Sequence, residues 1–136
     1  MAEALLKQQV SERRPDVSIA SAGVHADTRR PADARARRLA REFGVSLENH
    51  RSSGLTDEHV RQADLILVMD ALNHAELLGR YPEAGPKTFR LGSWLNDPRS
   101  PDRDIADPYD GDDTDVLCCF ERLDAAIRNL TADLFL

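Results

Sequence analysis

Apolar positions Ala4, Leu5, Leu6 and Val10 fall at helical spacing and predict a first helix over residues 1–14, ended by Pro15. Residues 17–21, Val-Ser-Ile-Ala-Ser, alternate apolar and polar as a strand does, and Gly23 stops them. Pro31 suits a first helical position, with Ala32, Ala36, Leu39, Ala40 and Phe43 at helical spacing and Gly44 as the stop. A short amphipathic segment covers residues 56–62. Residues 65–69, Leu-Ile-Leu-Val-Met, are apolar on both faces, as in a buried parallel strand. Asp70 is placed to cap a helix over 71–81, followed by a turn at 82–86 and a short strand at 88–91. Residues 92–114 are rich in Asp, Pro and Gly and predict a long loop. In the final helix Val116, Phe120, Leu123, Ile127, Leu130 and Leu134 step by 4, 3, 4, 3, 4, one continuous apolar stripe.

Strands alternating with helices predict an α/β fold, a three-layer open parallel sheet with helices on both faces. Such folds usually begin with a strand, whereas this pattern begins with a helix that has no capping residue before it. No internal repeat or low-complexity linker is present.

Composition narrows the class. A length of 136 residues suits a single domain, and 41% hydrophobic with 31% charged residues fits neither disorder, collagen nor a membrane protein. The net charge of -6 argues against a general nucleic-acid partner. Arginine supplies 16 of the 18 basic residues, a bias that reads as composition rather than function. Cys118 and Cys119, adjacent in sequence, make neither a disulfide framework nor a zinc site. Without an 18-residue apolar run or a signal-peptide core, the expectation is a soluble cytoplasmic protein with no membrane partner.

Dinucleotide-binding, Walker A, H-E-x-x-H, G-x-S-x-G and EF-hand signatures are all absent. His25, His50, His59 and His74 show no ligand spacing, and no metal site is expected. The acidic loop holds Asp97, Asp102, Asp104, Asp107, Asp110, Asp112, Asp113 and Asp115, most of which read as solvated or helix-capping groups. Asp107 stands out because Pro108 fixes the backbone after the carboxylate and an aromatic ring, Tyr109, follows. That arrangement holds an acid at a pocket rim beside a flat wall. Asp97-Pro98 has the same first two residues without the ring. A phosphate-cleaving cysteine needs an Arg on its own loop to hold the phosphate, but six residues beyond Cys118 and Cys119 stand Asp124 and Ala125. Cys119 also lies on the apolar stripe, so the pair reads as inert packing.

Five stretches together resemble the low molecular weight protein tyrosine phosphatases, in that family's order and spacing. They are residues 1–6 (Met-Ala-Glu-Ala-Leu-Leu), 21–23 (Ser-Ala-Gly), 45–51, 63–70 (Ala-Asp-Leu-Ile-Leu-Val-Met-Asp) and 107–109 (Asp-Pro-Tyr). The resemblance implies a phosphotyrosine phosphatase I-like fold over residues 1–136. It implies Asp107 as general acid and base, Tyr109 as the wall against the substrate ring, and His50 as a support of the phosphate loop. Asp70 matches a family carboxylate near the sheet's C-terminal edge. The reaction is hydrolysis of phosphotyrosine in a protein substrate through a phosphocysteine, without cofactor. In the family the first stretch directly follows a C-x5-R-S-P loop, itself preceded by the first, central strand. Neither is within residues 1–136, so the resemblance implies a domain truncated at its N-terminus, lacking its nucleophile and inactive as it stands. A remnant or binding module of the same fold is the alternative, with an unrelated small α/β domain behind it. An arsenate reductase-like activity ranks lower, because it needs further redox cysteines mid-chain.

Overall fold

The computed structural model describes residues 1–11, 13–25, 29–96, 98 and 103–135. Helix α1 (Ala2–Val10) stops short of the expected residue 14, its last apolar position being its last helical one. Helix α2 (Ala34–Ala40) starts later than Pro31, because the Asp33 carboxylate accepts from the backbone N–H groups of Arg35 and Ala36 and caps it there. Pro31 is extended instead, in an isolated antiparallel bridge with Arg51. A short 3-10 turn, Arg41–Phe43, closes α2, and Gly44 ends it at φ 72. A Cβ at Gly44 would stand 2.9 Å from the Gln8 amide nitrogen. That amide donates to the carbonyls of Phe43 and Gly44, tying α1 to the end of α2.

Helix α3 (Asp57–Gln62) opens with a reciprocal capping box between Thr56 and His59. Strand β1 (Ile66–Val68) leads to Asp70, whose carboxylate accepts from Asn73 N–H at 2.7 Å and caps α4 (Ala71–Arg80) as expected. The turn at 82–86 is a 3-10 segment, Pro82–Lys87, feeding β2 (Thr88–Arg90). The expected loop starts with another 3-10 turn, Leu91–Trp94, and α5 (Asp113–Phe135) begins within its last residues. Asp97 and Asp102 lie outside the described residues.

Strands β1 and β2 pair in parallel, Ile66 with Thr88, Leu67 with Phe89 and Val68 with Arg90. Alternation along β1 divides the core into two layers. Leu67 and Met69 pack toward Leu5 of α1, Leu39 of α2 and the α5 stripe, where Phe120 stacks on Phe43 at 5.0 Å. Ile66 and Val68 turn the other way, onto Val60 of α3 and Leu77 of α4. Helices therefore cover both faces of a parallel sheet, the three-layer arrangement expected.

One expected element is absent. Residues 17–21 form no strand, and no β-bridge joins residues 17–22 to any described residue. Gly23 alone bridges, in parallel, to Gly54. Alternating sequence makes a segment fit for a strand, but the ladder needs a neighbour, and β1 and β2 pair with each other. Among the described residues no helix is long and apolar enough to cross a membrane.

Candidate active site

The acid-bearing loop is brought to the carboxyl end of β1 by its backbone. Ile105 N–H donates to Met69 C=O at 2.8 Å. Asp104 accepts from the N–H of Ala71 at 3.1 Å and pairs with Arg90 at 3.2 Å, so both strand ends grip the loop. Ligands of open α/β sheets bind at this edge, outside the carboxyl ends of the strands.

Beyond Ile105 the chain turns tightly. Tyr109 N–H donates to Asp107 Oδ1 at 3.0 Å across Pro108, and Gly111 N–H donates to Pro108 C=O at 2.9 Å. This turn fixes one carboxylate oxygen of Asp107 and leaves the Tyr109 ring 71% exposed beside it. Two helices hold the turn. From α2, the Arg35 guanidinium donates to Tyr109 C=O at 2.8 Å and to Gly111 C=O, while Arg38 pairs with Asp113 at 2.6 Å. At the start of α5, Asp115 and the preceding Asp112 each accept the other's backbone N–H at 3.0 Å.

Asp107 lines a cleft of about 370 Å³ together with Ile105, Pro108, Cys118, Cys119 and Arg122. The two cysteines differ. Cys119 is buried in the stripe of α5, and burial pushes its thiol up to about 11, so it stays protonated at neutral pH. Cys118, expected to be packed, is instead exposed on the cleft wall. The Met1 amino group also lies near Cys119, and burial holds it below the usual range for an α-amine.

The other two expected residues lie elsewhere. Asp70 sits at the end of β1, engaged as the cap of α4, and does not line the cleft. His50 belongs to a separate cluster, with Nδ1 3.8 Å from Glu3 Oε2. Glu3 also accepts from Lys7 at 2.7 Å and from the Ser21 hydroxyl. Burial alone would raise the Glu3 carboxyl, but the hydrogen bonds from Lys7 and Ser21 outweigh it and hold the group below its usual range. Sequence reasoning missed Arg35, Arg122 and Glu3. Among the described residues no group of three or more His, Cys, Asp or Glu is arranged to hold a metal ion.

The family model described as "Low molecular weight phosphotyrosine protein phosphatase" matches residues 1–135. The chain belongs to this family. Among its phosphatase relatives, Etp of Escherichia coli K12 is 42% identical over 98 residues, 72% of this chain and 63% of Etp. The chain thus matches less than two thirds of that relative's length. The structure of the Erwinia amylovora tyrosine phosphatase AmsI superposes with a TM-score of 0.88 at 32% identity, over 99% of this chain and 83% of AmsI. The YwlE arginine phosphatase of Geobacillus stearothermophilus gives 0.85 at 33% identity, over 98% and 82% of the two chains. A tyrosine phosphatase and an arginine phosphatase thus share this fold.

Proposed function

We propose that residues 1–136 form one domain of a protein-tyrosine phosphatase, with Asp107 as general acid and base and Tyr109 as the wall for the substrate ring. The observation that carries this reading is the turn over Pro108. It pins the Asp107 carboxylate on the wall of a cleft at the sheet's carboxyl edge, with an exposed aromatic ring beside it. The nucleophile of this reaction is a thiolate on a C-x5-R loop that residues 1–136 do not contain. Two observations speak against the cysteines that are present. Cys119 is buried and held protonated, and neither cysteine has an Arg six residues on.

In this reaction the thiolate attacks phosphorus, and the P–S bond forms as the bond to the tyrosine oxygen breaks. Asp107 gives its proton to the departing phenolate. Its carboxylate then takes a proton from water as the water oxygen attacks the phosphocysteine, releasing inorganic phosphate and the thiolate. His50 supports the phosphate loop through the Glu3–Ser21 cluster, and the substrate is a tyrosine-phosphorylated protein. The domain acts in the cytoplasm.

Two proteins test this reading. Purified 1–136 is expected to show no turnover of p-nitrophenyl phosphate or a phosphotyrosine peptide. A loop-completed chain, with a strand and a C-x5-R-S-P loop joined before Met1, is expected to hydrolyse both. Turnover by 1–136 that Asp107→Asn abolishes overturns the assigned nucleophile. A loop-completed chain that folds but never turns over favours a binding module, and a preference for phosphoarginine over phosphotyrosine overturns the substrate class.

Asp70 is proposed to act through the α4 cap rather than on substrate. Asp70→Ala in the loop-completed chain is expected to cost about 1 kcal/mol of stability in urea unfolding, and Asp70→Asn only a few tenths, because Asn caps as well as Asp. Equal losses for the two variants would contradict a capping role.

A further inference from the structure

We propose that Arg35 of α2 is a positioning residue for the general acid, a role that rests on reading Asp107 as that acid. The Asp107 carboxylate is aimed by a hydrogen bond from Tyr109 N–H, so its direction depends on how the Tyr109 peptide units are held. Tyr109 itself cannot supply that rigidity, since its side chain projects into solvent. Arg35 supplies it from the far side of the turn, where its guanidinium donates to the carbonyls of Tyr109 and Gly111 at once. Two donors in one rigid plane fix two successive points of the turn, which a single-point cation cannot do.

The guanidinium is in turn oriented locally. Asp33 Oδ1 accepts from Arg35 Nε at 3.4 Å while also capping α2. A chain of contacts therefore runs from the N-terminus of α2, through Arg35 and the Tyr109 peptide, to the acid oxygen. The capping pair Asp112–Asp115 holds the other end of the same turn on α5, so removing Arg35 frees one side only. The backbone around Asp107 then keeps its place at β1 through Ile105 but loses the fixed rotation that points the carboxyl.

The test uses substrates that need the proton to different degrees. In the loop-completed chain, Arg35→Ala is expected to lower kcat on phenyl phosphate by about tenfold or more, and on p-nitrophenyl phosphate by less than about threefold. Arg35→Lys, which reaches one carbonyl, is expected to recover part of the loss. In an Asp107→Asn background Arg35→Ala is expected to change kcat by no more than about twofold, because the group it aims is already gone. Equal losses on both substrates, or a full further loss in the Asp107→Asn background, would mean a general structural role and overturn the proposal. If the parent chain itself lacks turnover, the general-acid reading fails separately. Hydrogen exchange at the Tyr109 and Gly111 amides then reads the clamp directly: faster exchange in Arg35→Ala supports it and unchanged exchange overturns it.

Discussion

Asp107→Asn in the loop-completed chain is expected to lower kcat on phosphotyrosine by roughly 10² to 10⁴, the scale of one positioned general acid. The loss corresponds to roughly 3–5 kcal/mol of barrier. Asn is the informative replacement because its amide oxygen can still accept the Tyr109 N–H bond that shapes the turn. The turn survives, the cleft wall keeps its volume, and only the transferable proton is removed. The deficit should therefore shrink as the leaving group improves, since p-nitrophenolate departs with less need of protonation than the phenolate of tyrosine. Water attack on the phosphocysteine loses its base in the same variant, so an acid-quenched sample should accumulate phosphoenzyme. An unchanged kcat on phosphotyrosine would exclude Asp107 and point to Asp110, the next exposed carboxylate along the loop.

The parts of this architecture that were legible in the sequence are those written within a few residues of one another. The α5 stripe, the Asp70 cap and the doubly apolar β1 each declare themselves locally, and each is present. Cys118 and Cys119 show how phase refines such a reading. Adjacent residues on a helix point about 100° apart, so the stripe that buries Cys119 leaves Cys118 exposed. The start of α2 was read from Pro31 alone, whereas the side-chain cap at Asp33 sets it.

Asp107 was legible because Asp-Pro-Tyr carries its own turn chemistry. Arg35 was not, since its partners lie 74 and 76 positions away and no local period marks them. Residues 17–21 are the opposite case. Their alternation was visible, but whether they form a strand depends on what lies beside them.

That dependence leads to the expected behaviour of residues 1–136 alone. Strand β1 pairs on one edge with β2, and among the described residues no strand pairs with its other edge. Residues 17–21 likewise have no ladder partner. Each backbone N–H or C=O left unmatched beside an apolar layer costs about 1 kcal/mol or more. A domain holds only about 5–15 kcal/mol in all, so a few such groups consume most of it. Leu67 and Met69 are only partly buried against the α1–α5 layer, which leaves apolar surface next to a free strand edge, the arrangement that promotes association. Purified 1–136 is therefore expected to aggregate, or to lose its structure on heating without a cooperative transition. The loop-completed chain, in which an added strand can pair with β1 and with residues 17–21, is expected to unfold in one sharp step. Thermal unfolding followed by circular dichroism separates the two, with amide NMR dispersion as the second measure. A monomeric 1–136 with dispersed amides and a cooperative transition would show that β1 and residues 17–21 need no strand between them.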